Sequence, residues 1–129
     1  MILVREESRR FWIQALEDLE TARVLLREER YYASAFYSHQ AAEKALKAAY
    51  IEIRREAAPR THNIVELGQA LGMNDLLDDL MELNPEYTVS RYLNAANGVP
   101  AQMYSEAIAR RHLDRAERVV NRCRELMGL

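Results

Sequence analysis

Apolar positions near the start of the chain recur in steps of three and four. Trp12, Ala15, Leu16, Leu19, Ala22 and Leu26 share one helical face, which predicts a helix over residues 5–29. Arg23 falls in the same stripe. Its stem can pack while its head reaches an edge, or it can pair with a buried carboxylate such as Glu43. A second helix is expected over 32–53, ended by "RREAAPRTHN" with Pro59. Thr61 or Asn63 is placed to cap a short helix near 64–71 that Gly72 terminates. Asn74 is placed to cap another near 75–83, before Pro85. "EYTVSRYLNAANGVPAQMY" has no helical period and reads as a long loop, the kind that often carries function or is partly disordered. Ser105 begins the last helix, whose ladder of Ala109, Leu113, Ala116, Val120, Cys123 and Met127 puts Cys123 in the core without a redox role.

No strand-like alternation, internal repeat or low-complexity tract interrupts this pattern. The expectation is all-α: an antiparallel up-and-down bundle of four to five helices, three long and two short, forming a single domain over 1–129.

The second helix departs from a simple amphipathic plan. Within "FYSHQAAEKALKAAY", residues 36–50, five alanines surround His39, Gln40, Glu43, Lys44 and Lys47. Ala35, Ser38, His39, Ala42, Ala45, Leu46, Ala49 and Ile53 form an inward stripe. Phe36, Gln40, Glu43, Lys47 and Tyr50 form a second, and Tyr37, Ala41, Lys44, Ala48 and Ile51 a third. No side is purely polar, so the helix is central or is covered by a partner chain. Its polar groups need partners at packed margins. One reading is a set of ion pairs that fixes helix register. The other is a cleft lined by Gln40, Glu43, Lys44 and Lys47 that holds a phosphate or nucleotide.

Length and composition narrow the function classes. The chain has 129 residues, 49% hydrophobic and 29% charged, which suits a soluble globular domain with a real core. No apolar run is long enough to span a membrane, and the apolar start "MILV" is too short for a signal peptide, so a cytoplasmic protein is expected. A single Cys and three scattered His offer neither a disulfide nor a metal site, and no cofactor is implied. The net charge of −2 argues against a globally basic nucleic-acid binder. On the last helix, however, Arg111, Arg115, Arg118 and Arg122 line up opposite the core ladder. They form either a solvated face, with Asp114 and Glu117 beside them, or a docking surface for an acidic partner or RNA phosphates.

"AFYSHQAAEKALKAAYI", then "THNIVELGQAL", then "VSRYLNAANGVPAQMYSEAIARRHLDRAERVV" resemble, in order, the HEPN family of small helical nucleotide-binding domains. The resemblance covers residues 8–127. It implies a helical bundle, usually a homodimer, and often a partner of a minimal nucleotidyltransferase in a two-protein, toxin–antitoxin-like system. Some family members are ribonuclease toxins carrying Arg, four to six residues, then His. There the His exchanges a proton with an RNA 2′-hydroxyl while the Arg stabilises phosphate charge.

Arg91 matches that Arg, but the next histidine is His112, on the following helix. The tract is closer to the Arg-Tyr-Pro-Asp loop of the non-ribonuclease branch, with Leu93 and Asn94 in place of Pro and Asp. Arg55 and His62 have a similar spacing but straddle Pro59 in the wrong segment, which reads as chance. No catalytic residue is therefore assigned. His62 is expected to make a cap or local hydrogen bond, and His39 to be packed and satisfied. The expected role is a non-catalytic module whose ligand-binding candidates are Gln40, Glu43, Lys44, Lys47, Arg91 and Tyr92. The alternatives are a ribonuclease using Arg91 with an unconventional base, and a purely structural dimer.

Overall fold

The computed structural model describes residues 5–129; the apolar tetrad at 1–4 lies outside them. Six α-helices follow in order: α1 (Glu6–Arg27), α2 (Tyr31–Arg54), α3 (Ile64–Ala70), α4 (Leu77–Leu83), α5 (Leu93–Ala96) and α6 (Glu106–Leu126). Single 3-10 turns at Asn74–Leu76, Asn84–Tyr87 and Pro100–Gln102 connect the shorter ones.

The α1 stripe is buried as its spacing predicts: Trp12, Ala15, Leu19, Ala22 and Leu26 all face the core. A tight turn with Glu29 at φ 61° reverses the chain into α2. The two helices then approach closely, because alanine dominates the facing surface of α2. Serines on each helix hydrogen-bond the other's main chain. The Ser8 hydroxyl donates to the Ala48 carbonyl at 2.9 Å, and the Ser34 hydroxyl to the Ala22 carbonyl at 2.8 Å. These pairs make α1 and α2 an antiparallel hairpin. Arg23 near the end of α1 pairs with Glu117 of α6 at 3.0 Å, and the Arg124 guanidinium lies 5.3 Å over the Trp12 ring, so α6 also runs antiparallel to α1.

Helix α2 is the centre of the bundle. Ala41, Ala45, Leu46, Ala48, Ala49 and Ile51 have no exposed surface, so two of its three stripes are core. Elements of the same chain cover it: α1, α6, α3 and the turn at Asn84–Tyr87. Tyr50 and Ile51, on the second and third stripes, are buried within the chain, whereas Ile53 on the inward stripe is exposed. Arg23 does not meet Glu43; it pairs with Glu117 and Glu20. The reason is position, since Arg23 lies beside the first turns of α2 and Glu43 stands further along that helix.

Caps follow the expected chemistry at two helices. Asn63 Oδ1 accepts from the Glu66 N–H and Ser105 Oγ from the Ile108 N–H. Gly72, at φ 73°, closes the α3 turn. Asn74 is not a cap: it opens the 3-10 turn that leads into α4, which has no side-chain cap. Gly68 lets α3 meet α4, since a Cβ there would lie 2.3 Å from Leu80 Cδ1. The tract expected as a loop holds the end of one 3-10 turn, α5 and the whole of another 3-10 turn. Elements of a single turn are too short to leave a period in sequence.

Two arginines of the α6 row are engaged within the chain. Arg118 makes a two-pronged pair with Asp79 (2.7 and 3.1 Å), and Arg122 pairs with Asp75 (2.8 Å). These bonds tie α6 to α4 and the turn before it. The guanidinium of Arg122 holds the Asp75 carboxyl below the usual carboxylate range. Arg111 is exposed and Arg115 half-buried. Cys123 is fully buried, and burial pushes its thiol well up, away from the reactive thiolate.

Candidate functional site

A polar seam runs across α2 where the 84–92 segment passes over it. At its centre is the buried carboxylate of Glu43. Lys47, one turn along α2, donates to it at 3.1 Å. His62, from the extended stretch before α3, places Nδ1 3.1 and 3.2 Å from the two carboxylate oxygens. A carboxylate only accepts, so Nδ1 carries the proton and Nε2 is left as the acceptor. The His62 side chain is 54% exposed.

His39 lies behind this pair. Its Nε2 donates to the His62 carbonyl at 3.2 Å, and its Nδ1 receives the Gln40 amide at 3.4 Å. His39 is fully buried, and burial lowers its pKa to about 4 although Glu43 pulls the other way. It is therefore a neutral structural histidine that fixes the main chain carrying His62.

Tyr87 joins this cluster to Arg91. Its ring stacks on His62 at 4.0 Å and 11°, and tilts against His39 at 5.6 Å. The Arg91 guanidinium is framed by three rings, 4.3 Å from Phe36, 4.7 Å from Tyr92 and 4.8 Å from Tyr87. Its Nε donates to the Tyr87 carbonyl at 3.0 Å. Among the described residues it has no carboxylate partner, and it is exposed; a planar guanidinium fork of this kind suits a phosphate or carboxylate.

The structure thus gathers Glu43, Lys47, His62, Tyr87, Arg91 and Tyr92 into one band. Lys44 and Gln40 are turned to a neighbouring margin. Lys44 pairs with the buried Asp18 and donates to Gln40 Oε1 at 3.3 Å. It also lines a cleft of about 340 Å³ with Glu7, Arg10, Phe11 and Gln14. The Arg111 to Arg122 row lies on α6, outside the band. A larger cleft of about 670 Å³ lies between the end of α1 and the start of α6. It is lined by arginines and glutamates that mostly pair with one another, so the chemistry of the seam is not there.

Sequence reasoning missed the two rings that organise the site. His62 was expected to act locally, yet its partner is Glu43 on another helix. The available signal was the polar centre of α2, where a buried Glu needs more than one donor. Tyr87 left no signal, since an aromatic in an aperiodic tract has many uses. Among the described residues no cluster of three His, Cys, Asp or Glu side chains has metal-binding geometry, and no helix is long and apolar enough to cross a membrane.

The HEPN domain family matches residues 8–126, which include every residue of this seam. The chain belongs to the HEPN family. Solved structures agree. The crystal structure of TT1696 from Thermus thermophilus is 27% identical with a TM-score of 0.85, covering 95% of this chain and 99% of that one. ST0689, an archaeal HEPN homologue, is 30% identical with a TM-score of 0.80 and the same coverage. A HEPN domain protein from Thermotoga maritima, TM0613, is 28% identical with a TM-score of 0.72, covering 92% of this chain and 98% of that one. No curated protein matches significantly. In this HEPN chain the seam is a surface where the Arg91 cation, the half-exposed His62 ring and the exposed Tyr92 ring stand together.

Proposed function

We propose that this HEPN domain is a non-catalytic, cytoplasmic module that binds a nucleotide through the Arg91 seam. In this reading it acts as a homodimer beside a minimal nucleotidyltransferase, in a two-protein, toxin–antitoxin-like system. The observation that supports it is the state of Arg91: three rings and one main-chain bond hold the guanidinium, while among the described residues no carboxylate pairs with it. Such a fork is ordered before the ligand arrives, which cuts the entropy cost of binding. Tyr92, largely exposed, supplies a face for a base. Calorimetric titration with ATP is the test. Wild-type protein should bind and Arg91→Ala should bind more weakly; absence of binding by the wild type would sink this reading.

One observation favours a second reading, a ribonuclease. The Glu43–His62 pair occupies Nδ1 and leaves Nε2 as the acceptor of a half-exposed imidazole, stacked on the same Tyr87 ring that supports Arg91. In that reaction Nε2 takes the proton of an RNA 2′-hydroxyl and the freed oxygen attacks the adjacent phosphorus. The 5′-oxygen then leaves with a proton, giving a 2′,3′-cyclic phosphate and a 5′-hydroxyl. Incubation with single-stranded and structured RNA separates the two. The first reading expects intact RNA. Cleavage lost in both His62→Ala and Arg91→Ala would establish the second.

A further inference from the structure

Glu86 immediately precedes Tyr87 in the same 3-10 turn, and its side chain makes a different set of contacts. It is only 7% exposed. Its carboxylate accepts from the Tyr104 phenol and lies 3.4 Å from Nε2 of His112 on α6. Its own carbonyl accepts from the Ser90 hydroxyl. His112 is equally buried, and its Nδ1 has no hydrogen-bond partner. The ring therefore sets one nitrogen beside the Glu86 carboxylate and leaves the other bare. Burial, reinforced by Glu86, drives the Tyr104 phenol well above its ordinary pKa, so it stays a donor.

A buried carboxylate needs such donors, because an uncompensated charge in the interior is costly. Three segments meet at this one group: the Asn84–Tyr87 turn, the residue before the α6 cap, and α6 itself. The geometry points to Glu86 as a positioning residue, a latch that sets the direction of the Arg91 fork by fixing the turn that carries Tyr87. Two of the contacts that orient Arg91 belong to Tyr87: the main-chain oxygen that receives Nε and one of the three rings. Another of the rings, Phe36, is anchored on α2. The guanidinium is thus held between a fixed helix and a turn whose place depends on Glu86. Contacts of this kind weaken steeply with small displacements, so slack in the turn reaches Arg91 before it reaches the core. The functional half of this inference rests on the reading of Arg91 as the anion-binding group; the geometric half does not.

The test separates those halves. Ring currents shift protons held over aromatic faces upfield, so the Arg91 side-chain resonances report the stack in ligand-free protein by NMR. Tyr104→Phe removes one donor to Glu86 but keeps the ring. Glu86→Gln removes the charge. Both should move the Arg91 resonances towards those of free arginine and weaken ATP binding by about 10-fold, since a small misplacement of a binding group has large effects. His112→Gln, which can still donate to Glu86, should keep the Arg91 resonances in place, and His112→Leu should not. If Glu86→Gln does not fold, Tyr104→Phe decides the matter. A folded Tyr104→Phe protein with a lowered melting temperature but unmoved Arg91 resonances would overturn the latch. If the wild type binds no ATP, the nucleotide reading fails, while the ligand-free NMR result still decides the latch.

Discussion

Glu43 and His62 are 19 residues apart in sequence, yet Nδ1 of His62 lies 3.1 Å from one Glu43 oxygen and 3.2 Å from the other. The carboxylate also receives Lys47 at 3.1 Å. A buried acid with donors from a helix and from the stretch before α3 fastens those elements together, and it leaves little of its acceptor capacity unused. Gln40, Lys44 and Asp18 form a parallel set at the next margin of α2.

Removal of Glu43 should therefore be costly. Glu43→Ala leaves Lys47, 8% exposed, without its carboxylate. Breaking a buried pair from one side costs on the order of 3 kcal/mol. His62→Ala should cost about 1 kcal/mol or less, because Lys47 still compensates Glu43 and the imidazole was half in water. Urea denaturation of the two variants gives both values. Equal losses would mean that Lys47 finds another partner or that His62 is a larger support than its exposure indicates.

The long helices were legible because their apolar periods extend over several turns, as Trp12 to Leu26 show. Two caps were legible because Asn and Ser before a helix have a single efficient use, as Asn63 and Ser105 show. Four of the six seam residues were legible too: Glu43 and Lys47 were marked by lying inside a packed helix, and Arg91 and Tyr92 by the family resemblance. What sequence did not carry was pairing across the crossover. His62, Tyr87 and Glu86 meet their partners through tertiary folding, which no local spacing records. The α6 arginines show the same limit: their row was visible, but not that Asp75 and Asp79 take up two of its members.

Acid should weaken this fold through His39. Its pKa falls from the ordinary 6.5 to about 4 in the folded protein, because burial disfavours the charged ring. Between those values the unfolded chain binds the proton and the native protein does not, so stability declines as pH drops from 6.5 towards 4. Above that window the group contributes no pH dependence. From pH 7 to pH 5 the loss from this residue is about 2 kcal/mol. Chemical denaturation at the two values should show it, and His39→Gln should flatten the curve. A slope that His39→Gln leaves unchanged would assign the acid sensitivity to the carboxylates.

A two-fold dimer is expected, and the segment before α6 offers a surface for it. Residues 92–105 contain no charged side chain, in a chain that is 29% charged. Within them Leu93, Val99 and Met103 are each between 44% and 61% exposed. A contiguous uncharged patch of this kind suits a self-complementary contact. Sedimentation equilibrium at tens of micromolar, about the range a modest interface supports, should give twice the monomer mass. Leu93→Glu should return the monomer. A monomeric wild type would leave these side chains without the assigned role.

Arg91 separates structural from binding roles most sharply. A buried ion pair at this position would make Arg91→Ala cost more than about 2 kcal/mol. The structure shows instead an exposed guanidinium among Phe36, Tyr87 and Tyr92, with one main-chain bond. Contacts between a cation and ring faces contribute about 0.5–1 kcal/mol at exposed sites, and water takes over part of the lost interaction. Arg91→Ala should then change stability by less than about 1 kcal/mol while ATP affinity falls. Arg91→Lys keeps the charge but loses the planar fork and most of the stacking, so its affinity should resemble that of Arg91→Ala more than that of the wild type. Calorimetric titration paired with thermal denaturation measures both quantities on the same samples. A lysine variant that binds as the wild type does would mean that charge alone attracts the ligand, and that the three rings hold Arg91 for the sake of the fold.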